Sequence, residues 1–229
     1  MVTVFLPTRS GSERVKNKNT RDFAGIKGGL LNLKLNQLMS CRNVSEIVLS
    51  TNDELCMEIA YSFNDVKLKV IERPEHLSLS STSLIDLVRY VPDICSNSDI
   101  LWTHVTSPFV KAEDYDNIIS KYYHELRNGF DSLMTVHSFR NFLWDKDVND
   151  IINRVGIEKW PRTQDLKVFH EIDSAVFLTS KAMYRKNIDR IGISPYLYEL
   201  DKIKGLDIDW PEDFRLAEIV FSNFYNRQY

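Results

Sequence analysis

The 229-residue chain is poor in cysteine: Cys41, Cys56 and Cys95 stand apart with no C-x-x-C spacing. An odd, scattered set argues against a disulfide framework and against a thiolate zinc site, and fits a reducing, cytoplasmic compartment. No apolar run approaches the ~18 residues of a membrane span, and no charged segment leads into a long apolar one at the amino terminus. A soluble, unexported protein is expected. Neither sign of charge dominates, since 29 Lys and Arg against 32 Asp and Glu leave a net charge of -3. Nucleic acid and anionic membrane surfaces are therefore not expected partners. The G-x-S-x-G elbow, the H-E-x-x-H helix and a credible cysteine nucleophile are all missing, so covalent catalysis is not indicated. Missing too are the P-loop spacing, G-x-G-x-x-G, repeats, low-complexity tracts and any flexible linker.

What is present is an alternation. At 43% hydrophobic and 27% charged residues, the chain suits a single domain over residues 1–229 with a modest insertion. Strand patterns near Val2 to Leu6, Glu46 to Leu49, Lys67 to Ile71, Asp99 to Thr103 and Ser132 to Val136 alternate with helical ones. The helices fall at Leu30 to Ser40, Asp53 to Phe63, Ser83 to Val91 and Ala112 to Leu126. This is the signature of βαβ units, hence an α/β fold with a mostly parallel sheet. The second helix has Asn52 available as its cap, with Asp53 and Glu54 in its first turn. From about 137 to 170 the alternation breaks into short strands and Asn/Asp turns, which reads as an insertion. A strand through Leu178, a short helix around Lys181 to Tyr184, and a last helix opened by Pro211 complete the pattern.

Chemistry-bearing residues gather where strands end. Pro7 closes the first strand, and the loop that follows carries Arg9-Ser10-Gly11-Ser12, Arg14, Lys16 and Lys18-Asn19. Four cations in ten residues, with Ser10 and Ser12 adding donors and Gly11 letting backbone come close, suit a polyanion such as a nucleotide triphosphate. A solvated turn remains the plain alternative. Asp207-Ile208-Asp209 places two carboxylates at i and i+2 of an extended stretch, about 7 Å apart on one side. That pair can share Mg²⁺, which takes one or two protein carboxylates and completes its shell with water and phosphate oxygens; capping of the next helix is the other reading. Arg73-Pro74 and the Ser78 to Ser83 run, with Ser81 and Ser83, form either a crevice wall or a loop with an ordinary cap. Thr106 and Ser107 either bind a ligand or shape the turn before Pro108, and His104 either faces a ligand or is a structural, hydrogen-bonded residue. Cations and a metal pair at strand ends are the equipment of phosphoryl or nucleotidyl transfer.

Taken together, these segments resemble the acylneuraminate cytidylyltransferase family. Leu6 to Ser12 with Lys18-Asn19, Ser50-Thr51-Asn52-Asp53, Glu72-Arg73-Pro74, Thr106-Ser107-Pro108 and Asp207-Ile208-Asp209 follow the family's motifs in order and approximate spacing across nearly the whole chain. The resemblance implies a Rossmann-like fold, helices on both faces of the sheet, and a homodimer whose interface the insertion supports. It implies transfer from CTP to a 2-keto-3-deoxy sugar acid, whether sialic, legionaminic, pseudaminic or another, with release of pyrophosphate. Arg9 and Lys18 would touch the triphosphate, Asn19 and Arg73 hold the nucleotide, and Asp207 and Asp209 bind Mg²⁺. Arg162, in Trp160-Pro161-Arg162, aligns with an arginine that holds the sugar carboxylate. His104, Thr106, Asp173 and Phe177 would line the sugar pocket.

The departures cluster at the sugar end. His104 stands at the usual glutamine and Asp173-Ser174-Ala175 at the usual N-G-A. Glu13, Lys16, Gly28-Gly29-Leu30 and Ser80 are smaller deviations near the nucleotide loop. The altered pocket implies that N-acetylneuraminate is a poor acceptor beside another sugar acid with a different amino or hydroxyl pattern. It also leaves room for a non-catalytic nucleotide-binding relative.

Overall fold

A computed structural model describes residues 1–11 and 14–225, so Ser12, placed by the sequence in the nucleotide loop, lies outside the described residues. In chain order the elements run β1 (Val2–Pro7), α1 (Gly29–Met39), β2 (Val44–Thr51), α2 (Glu54–Ser62), β3 (Leu68–Glu72), α3 (Leu84–Ile94), β4 (Asp99–Trp102) and α4 (Ala112–Glu125). They continue with β5 (Ser132–Phe139), β6 (Trp144–Asp145), β7 (Asp150–Ile151), β8 (Phe169–Ser180), α5 (Lys181–Asn187), β9 (Pro195–Glu199) and α6 (Pro211–Val220).

β1 to β5 and β8 to β9 form a seven-stranded sheet in the order β3-β2-β1-β4-β8-β5-β9. It is mostly parallel: β1 runs parallel to β2 and β4, β2 to β3 and β5 to β9, while β8 lies antiparallel to β4 and β5. The strand order turns back at β1, since the chain moves outward to β2 and β3 and then returns to the other side with β4. Carboxyl ends of β1 and β4 therefore diverge at a topological switch point, where open α/β sheets hold ligands.

Alternation of side chains builds two cores. Val4 and Leu6 of β1, Leu101 of β4 and Val176 and Leu178 of β8 face one layer with Leu30 and Leu33 of α1, Ile118 of α4 and Phe214 of α6. Phe5, Trp102 and Phe177, from the intervening positions, face the other with Val88 of α3 and Tyr184. Helices thus cover both faces, the period of two in each strand deciding which residue meets which layer. Gly29 opens α1 at a position that only glycine fits: φ is +59°, and a Cβ there would lie 2.0 Å from the Arg21 carbonyl oxygen.

Two sequence expectations need correction, and one strand was missed. Asn52 does not cap α2; Asp53 does, accepting from the Leu55 and Cys56 backbone N–H groups. β8 begins at Phe169, not near Ser174, because its first half pairs with the outer half of β5, from Val136↔Ile172 to Phe139↔Phe169. β9 was not anticipated at all. Between β5 and β8 the insertion holds the small β6/β7 hairpin and one 3-10 turn, Thr163–Asp165.

Candidate active site

Pro7 delivers the chain from β1 into a loop that several tethers shape. The Ser10 backbone N–H donates to Asn52 Oδ1 at 3.0 Å, and Asn52 Nδ2 donates to Ser10 Oγ at 3.0 Å. Asn19 Nδ2 donates to the Arg9 carbonyl at 3.2 Å, while the Asn19 carbonyl accepts from Leu31 N–H at 2.9 Å, which ties the loop to α1. Gly11 takes φ +75° at the bend. Arg9, Arg14, Lys18, Asn19 and Arg73 line a cleft of about 570 Å³ together with Thr106, His104, Asp207 and Asp209. The cleft opens at the β1/β4 switch point that the topology selects.

Arg73 leaves the end of β3 and is buried. Its Nε donates to Ser50 Oγ at 3.1 Å and its Nη2 to the Ser50 carbonyl at 2.5 Å. Burial lowers its pKa to about 10, so it stays a cation at neutral pH. Residues 50–53 thus act as a junction: Ser50 fixes Arg73, Asn52 fixes the β1–α1 loop, and Asp53 caps α2. Ser83 and Ser81 do not line this cleft; Ser83 caps α3 through a bond from Ile85 N–H at 3.2 Å, and Ser81 is exposed, so Leu84 and Leu87 form that wall instead.

The acidic pair faces the cations. Asp209 Oδ1 lies 3.0 Å from Arg14 Nη2 and 3.5 Å from Lys18 Nζ, and Lys18 also donates to the Ile208 carbonyl at 2.7 Å. Asp207 Oδ1 is buried with no hydrogen-bond partner, and burial raises the carboxyl's pKa, with the charge of Asp209 adding to the effect. The Thr106 hydroxyl nearby partly offsets that rise. Neither aspartate caps α6, because Asp213 Oδ2 takes both the Asp209 and Trp210 N–H groups. An orphaned carboxylate oxygen beside a second carboxylate is a donor set that fits Mg²⁺, with phosphate and water to complete six ligands.

At the other end of the cleft, Ser174 holds φ +60°, a left-handed conformation that costs a non-glycine residue about 1–2 kcal/mol. Asp173 secures it: its Oδ1 accepts from Thr135 Oγ1 at 2.5 Å and from Ala175 N–H at 2.9 Å. The twisted backbone turns the Ser174 carbonyl onto His104 Nδ1 at 2.9 Å, while Trp102 Nε1 donates to His104 Nε2 at 3.0 Å. Both ring nitrogens are committed, the imidazole is neutral with Nδ1 protonated, and burial pushes its pKa down to about 4. His104 is therefore a strut beside the cleft and has no free lone pair to act as a base.

Asp173 is 4% exposed, and its Oδ2 has no partner. It lines not the main cleft but an adjoining chamber of about 490 Å³ shared with Ser174, Asp207 and Asp209. Burial raises its pKa, so the native state binds more protons than the unfolded chain from the ordinary Asp value upward, and stability falls as pH rises through that window. Asp173→Asn removes the charge and keeps the Oδ1 acceptor. It is expected to raise the melting temperature by about 2–4 °C at pH 7.5, with the gain shrinking toward pH 4. Melting curves at the two pH values check this.

Two other sugar-end expectations are displaced. Phe177 is buried behind the cleft, and the Arg190 guanidinium covers its ring at 3.7 Å from the centroid. Arg162 lies in the insertion, exposed, in a two-pronged pair with Asp165 at 2.8 and 3.2 Å, and does not reach the cleft of its own chain. Three residues were missed by sequence reasoning. Arg190 lines the cleft from the segment after α5. Lys34 and Gln37 of α1, both buried, donate to the Ser107 and Pro108 carbonyls at 2.7 Å each, which docks the Thr106 turn against the helix. Polar residues at i and i+3 on an otherwise apolar helix face were the available signal for the last two.

The three thiols are buried, and burial pushes each up to about 12, so none is a nucleophile. No helix among the described residues is long and apolar enough to cross a membrane.

Comparison with known proteins bears on the family and the fold. A family model described as cytidylyltransferase matches residues 3–226. An N-acylneuraminate cytidylyltransferase of Streptococcus agalactiae serotype III is 26% identical over 92% of this chain and 51% of its own. The chain thus spans about half the length of that relative. A pseudaminic acid cytidylyltransferase of Campylobacter jejuni is 25% identical over 95% of this chain and 94% of its own. Among solved structures, a CMP:2-keto-3-deoxy-manno-octonic acid synthetase complexed with CTP superposes with a TM-score of 0.65 at 12% identity, covering 97% of this chain and 99% of that one. A cytidylyltransferase from Leptospira borgpetersenii also gives 0.65, at 14% identity, covering 100% and 89%. These two share the Rossmann-like fold with this chain.

Proposed function

The chain belongs to the cytidylyltransferase family, and we propose that it joins CTP to the anomeric hydroxyl of a 2-keto-3-deoxy sugar acid, releasing pyrophosphate. The observation that carries this reading is the opposition of Arg9, Arg14 and Lys18 to the Asp207/Asp209 pair across one cleft at the switch point. Arg73 and Asn19, both fixed by their own hydrogen bonds, hold the nucleotide. Ser10 does not line the cleft; tied to Asn52, it holds the loop that carries Arg9 in shape. Arg9 and Lys18 stabilise the charge that builds on the departing pyrophosphate. When bound between Asp207 and Asp209, Mg²⁺ would neutralise the α-phosphate and polarise it toward attack. Lys18 and Arg14 already sit on Asp209, so the incoming triphosphate competes for cations that are near it in the free protein. Positioning and charge do the catalysis, with no covalent intermediate.

The acceptor occupies the end marked by His104, Thr106, Ser174 and Asp173. Neutral His104 and the αL backbone at Ser174 shape that end, and the adjoining chamber adds the carboxylate of Asp173. N-acetylneuraminate is expected to be used less well than another sugar acid with free amino or additional hydroxyl groups, since a buried carboxylate rewards donors. We also propose a homodimer: Trp144, Val155, Ile157 and Trp160 are exposed on the insertion, an apolar surface that a second copy would cover. Arg162, on the same segment, would then face the partner rather than its own cleft.

The test is pyrophosphate release in Mg²⁺ with CTP, UTP, ATP and GTP, each against N-acetylneuraminate, pseudaminate, legionaminate and 2-keto-3-deoxy-manno-octonate. CTP with one of the latter three is expected to give the highest kcat/KM. A purine preference would sink the nucleotide assignment, and best turnover of N-acetylneuraminate would sink the acceptor assignment alone. Binding of CTP with no turnover of any acid would favour the non-catalytic relative.

A further inference from the structure

Arg190 lines the cleft, and among the described residues its guanidinium makes no direct ion pair or hydrogen bond, although Tyr184 and Asp189 lie near enough to favour its charge. It follows α5, which Ile188 ends in a left-handed turn at φ +54°. Its guanidinium lies 3.7 Å above the Phe177 ring centroid and 5.3 Å from that of Trp102. The platform is rigid: Trp102 packs edge-on to Phe5 at 4.7 Å between centroids and is pinned by its bond to His104. Among the described residues no hydrogen-bond acceptor and no carboxylate meets the guanidinium. Asp189 is adjacent in sequence, but its carboxylate accepts from the Arg190 backbone N–H at 2.6 Å and makes no ion pair with the side chain.

A guanidinium seated over an aromatic face can present its planar edge of N–H donors, and that edge matches a carboxylate in two parallel bonds. Stacking holds the fork in place, so little rotamer freedom remains to be lost on binding. The position in the cleft separates this cation from the others. Arg9, Arg14 and Lys18 come from the β1–α1 loop, whereas Arg190 rises from the opposite side of the sheet order, over β4 and β8, beside His104 and Ser174. The other cations of the cleft, Arg9, Arg14, Lys18 and Arg73, are assigned to the nucleotide; among the described residues Arg190 is the cation that lines the main cleft beside His104 and Ser174, while Lys202 lines the adjoining chamber and Arg162 points elsewhere.

We propose that Arg190 binds the carboxylate of the acidic sugar and so contributes to the acceptor site's selectivity for an acid. This rests on the cytidylyltransferase reading above. Loss of the fork removes a charge-assisted bidentate pair and leaves the aromatic platform bare.

The experiment is calorimetric titration of the wild-type protein, Arg190→Gln and Arg190→Lys, with Mg²⁺ present. The probes are CTP alone, then 2-keto-3-deoxy-manno-octonate, pseudaminate and N-acetylneuraminate in the presence of CTP. The best-binding acid is repeated as its C1 methyl ester. Arg190→Gln is expected to weaken the acid about 10- to 100-fold, Arg190→Lys to fall between, and the Kd of CTP to stay within about two-fold. The ester is expected to bind the wild type and Arg190→Gln equally weakly. Thermal melts accompany each variant, and Arg190→Lys serves as the folded control if Arg190→Gln melts early. Equal weakening of CTP and acid would assign Arg190 to the triphosphate and overturn the proposal. So would an unchanged affinity for the acid, or a wild type that binds CTP and no acid. Failure of the wild type to bind CTP would instead remove the functional reading on which the proposal stands.

Discussion

Asp207→Asn and Asp209→Asn are each expected to lower kcat by more than about two orders of magnitude, with circular dichroism unchanged. Neutralising either carboxylate halves the protein charge offered to a divalent ion, and that ion is the only group in the reading that faces the α-phosphate. The two variants should nevertheless differ in stability. Asp209 is partly exposed and meets Arg14 and Lys18 in ion pairs at 3.0 and 3.5 Å; such pairs contribute about 0–1 kcal/mol, so its loss is nearly neutral. Asp207 carries a buried oxygen with no partner and a raised pKa. Its native state holds its proton above the ordinary Asp value, so its contribution to stability falls as pH rises through that window. Asp207→Asn should therefore melt at or above the wild type at pH 7.5. A second readout separates metal binding from simple structure: Mg²⁺ with CTP should raise the wild-type melting temperature and leave both variants with most of that shift missing. Near-normal turnover in both variants would end the metal assignment. Unfolding of both would make the pair structural, although the capping form of that idea is already filled by Asp213.

The sequence disclosed those elements whose signal is local. β1 to β5 and their helices show apolar alternation or helical spacing because each buries one face in one of the two cores. β9 and the first half of β8 do not. His137, Ser138, His170 and Glu171 are polar residues of a paired but half-covered ribbon, so pairing there leaves no apolar period to read. The short β9 carries no strong pattern, and its place as the edge strand beside β5 is a fact of tertiary pairing. The five motifs were legible as positions along the chain, but their division of labour was not. Asn52 reads as a cap until the structure shows Ser10 across from it, 42 residues away in sequence. Arg190 has no motif at all; its meaning comes from Phe177 and Trp102 beneath it, on strands that only the sheet order brings together. Asp173 and Ser174 were visible as departures, yet the reason a serine is tolerated at φ +60° is the pair of bonds that Asp173 Oδ1 accepts, which sequence spacing cannot report.

The contribution of Lys34 to wild-type stability is expected to rise by about 2–3 kcal/mol between pH 7 and pH 9, and Lys34→Met is expected to abolish that contribution. Lys34 is fully buried on α1, and desolvation lowers its pKa from 10.5 to about 7. Its Nζ lies 2.7 Å from the Ser107 carbonyl and 2.7 Å from Tyr115 Oη, with the Tyr115 ring centroid at 5.0 Å. The folded pKa lies below the unfolded one, so the unfolded chain binds more protons across the interval. Stability from this group is then complete above the unfolded value and is lost as pH falls toward 7. Cys41, Cys56 and Cys95, raised from 9.0 to about 12, act in the opposite sense as pH approaches 9 and beyond, but equally in both proteins, so the difference between wild type and variant isolates Lys34. Met matches the length of the lysine stem but can neither titrate nor donate. Urea unfolding of both proteins at pH 7, 8 and 9 measures the difference in slope, and parallel slopes would show that Lys34 does not titrate there. The same substitution leaves the Ser107 carbonyl without its donor. Since the Thr106 carbonyl one residue earlier accepts from Ile208 N–H at 3.0 Å, the disturbance passes directly to the segment carrying Asp207 and Asp209. A fall of about ten-fold in kcat/KM should accompany the flattened pH profile, while Gln37→Met, which frees the Pro108 carbonyl but removes no charge, should lower activity without changing the slope.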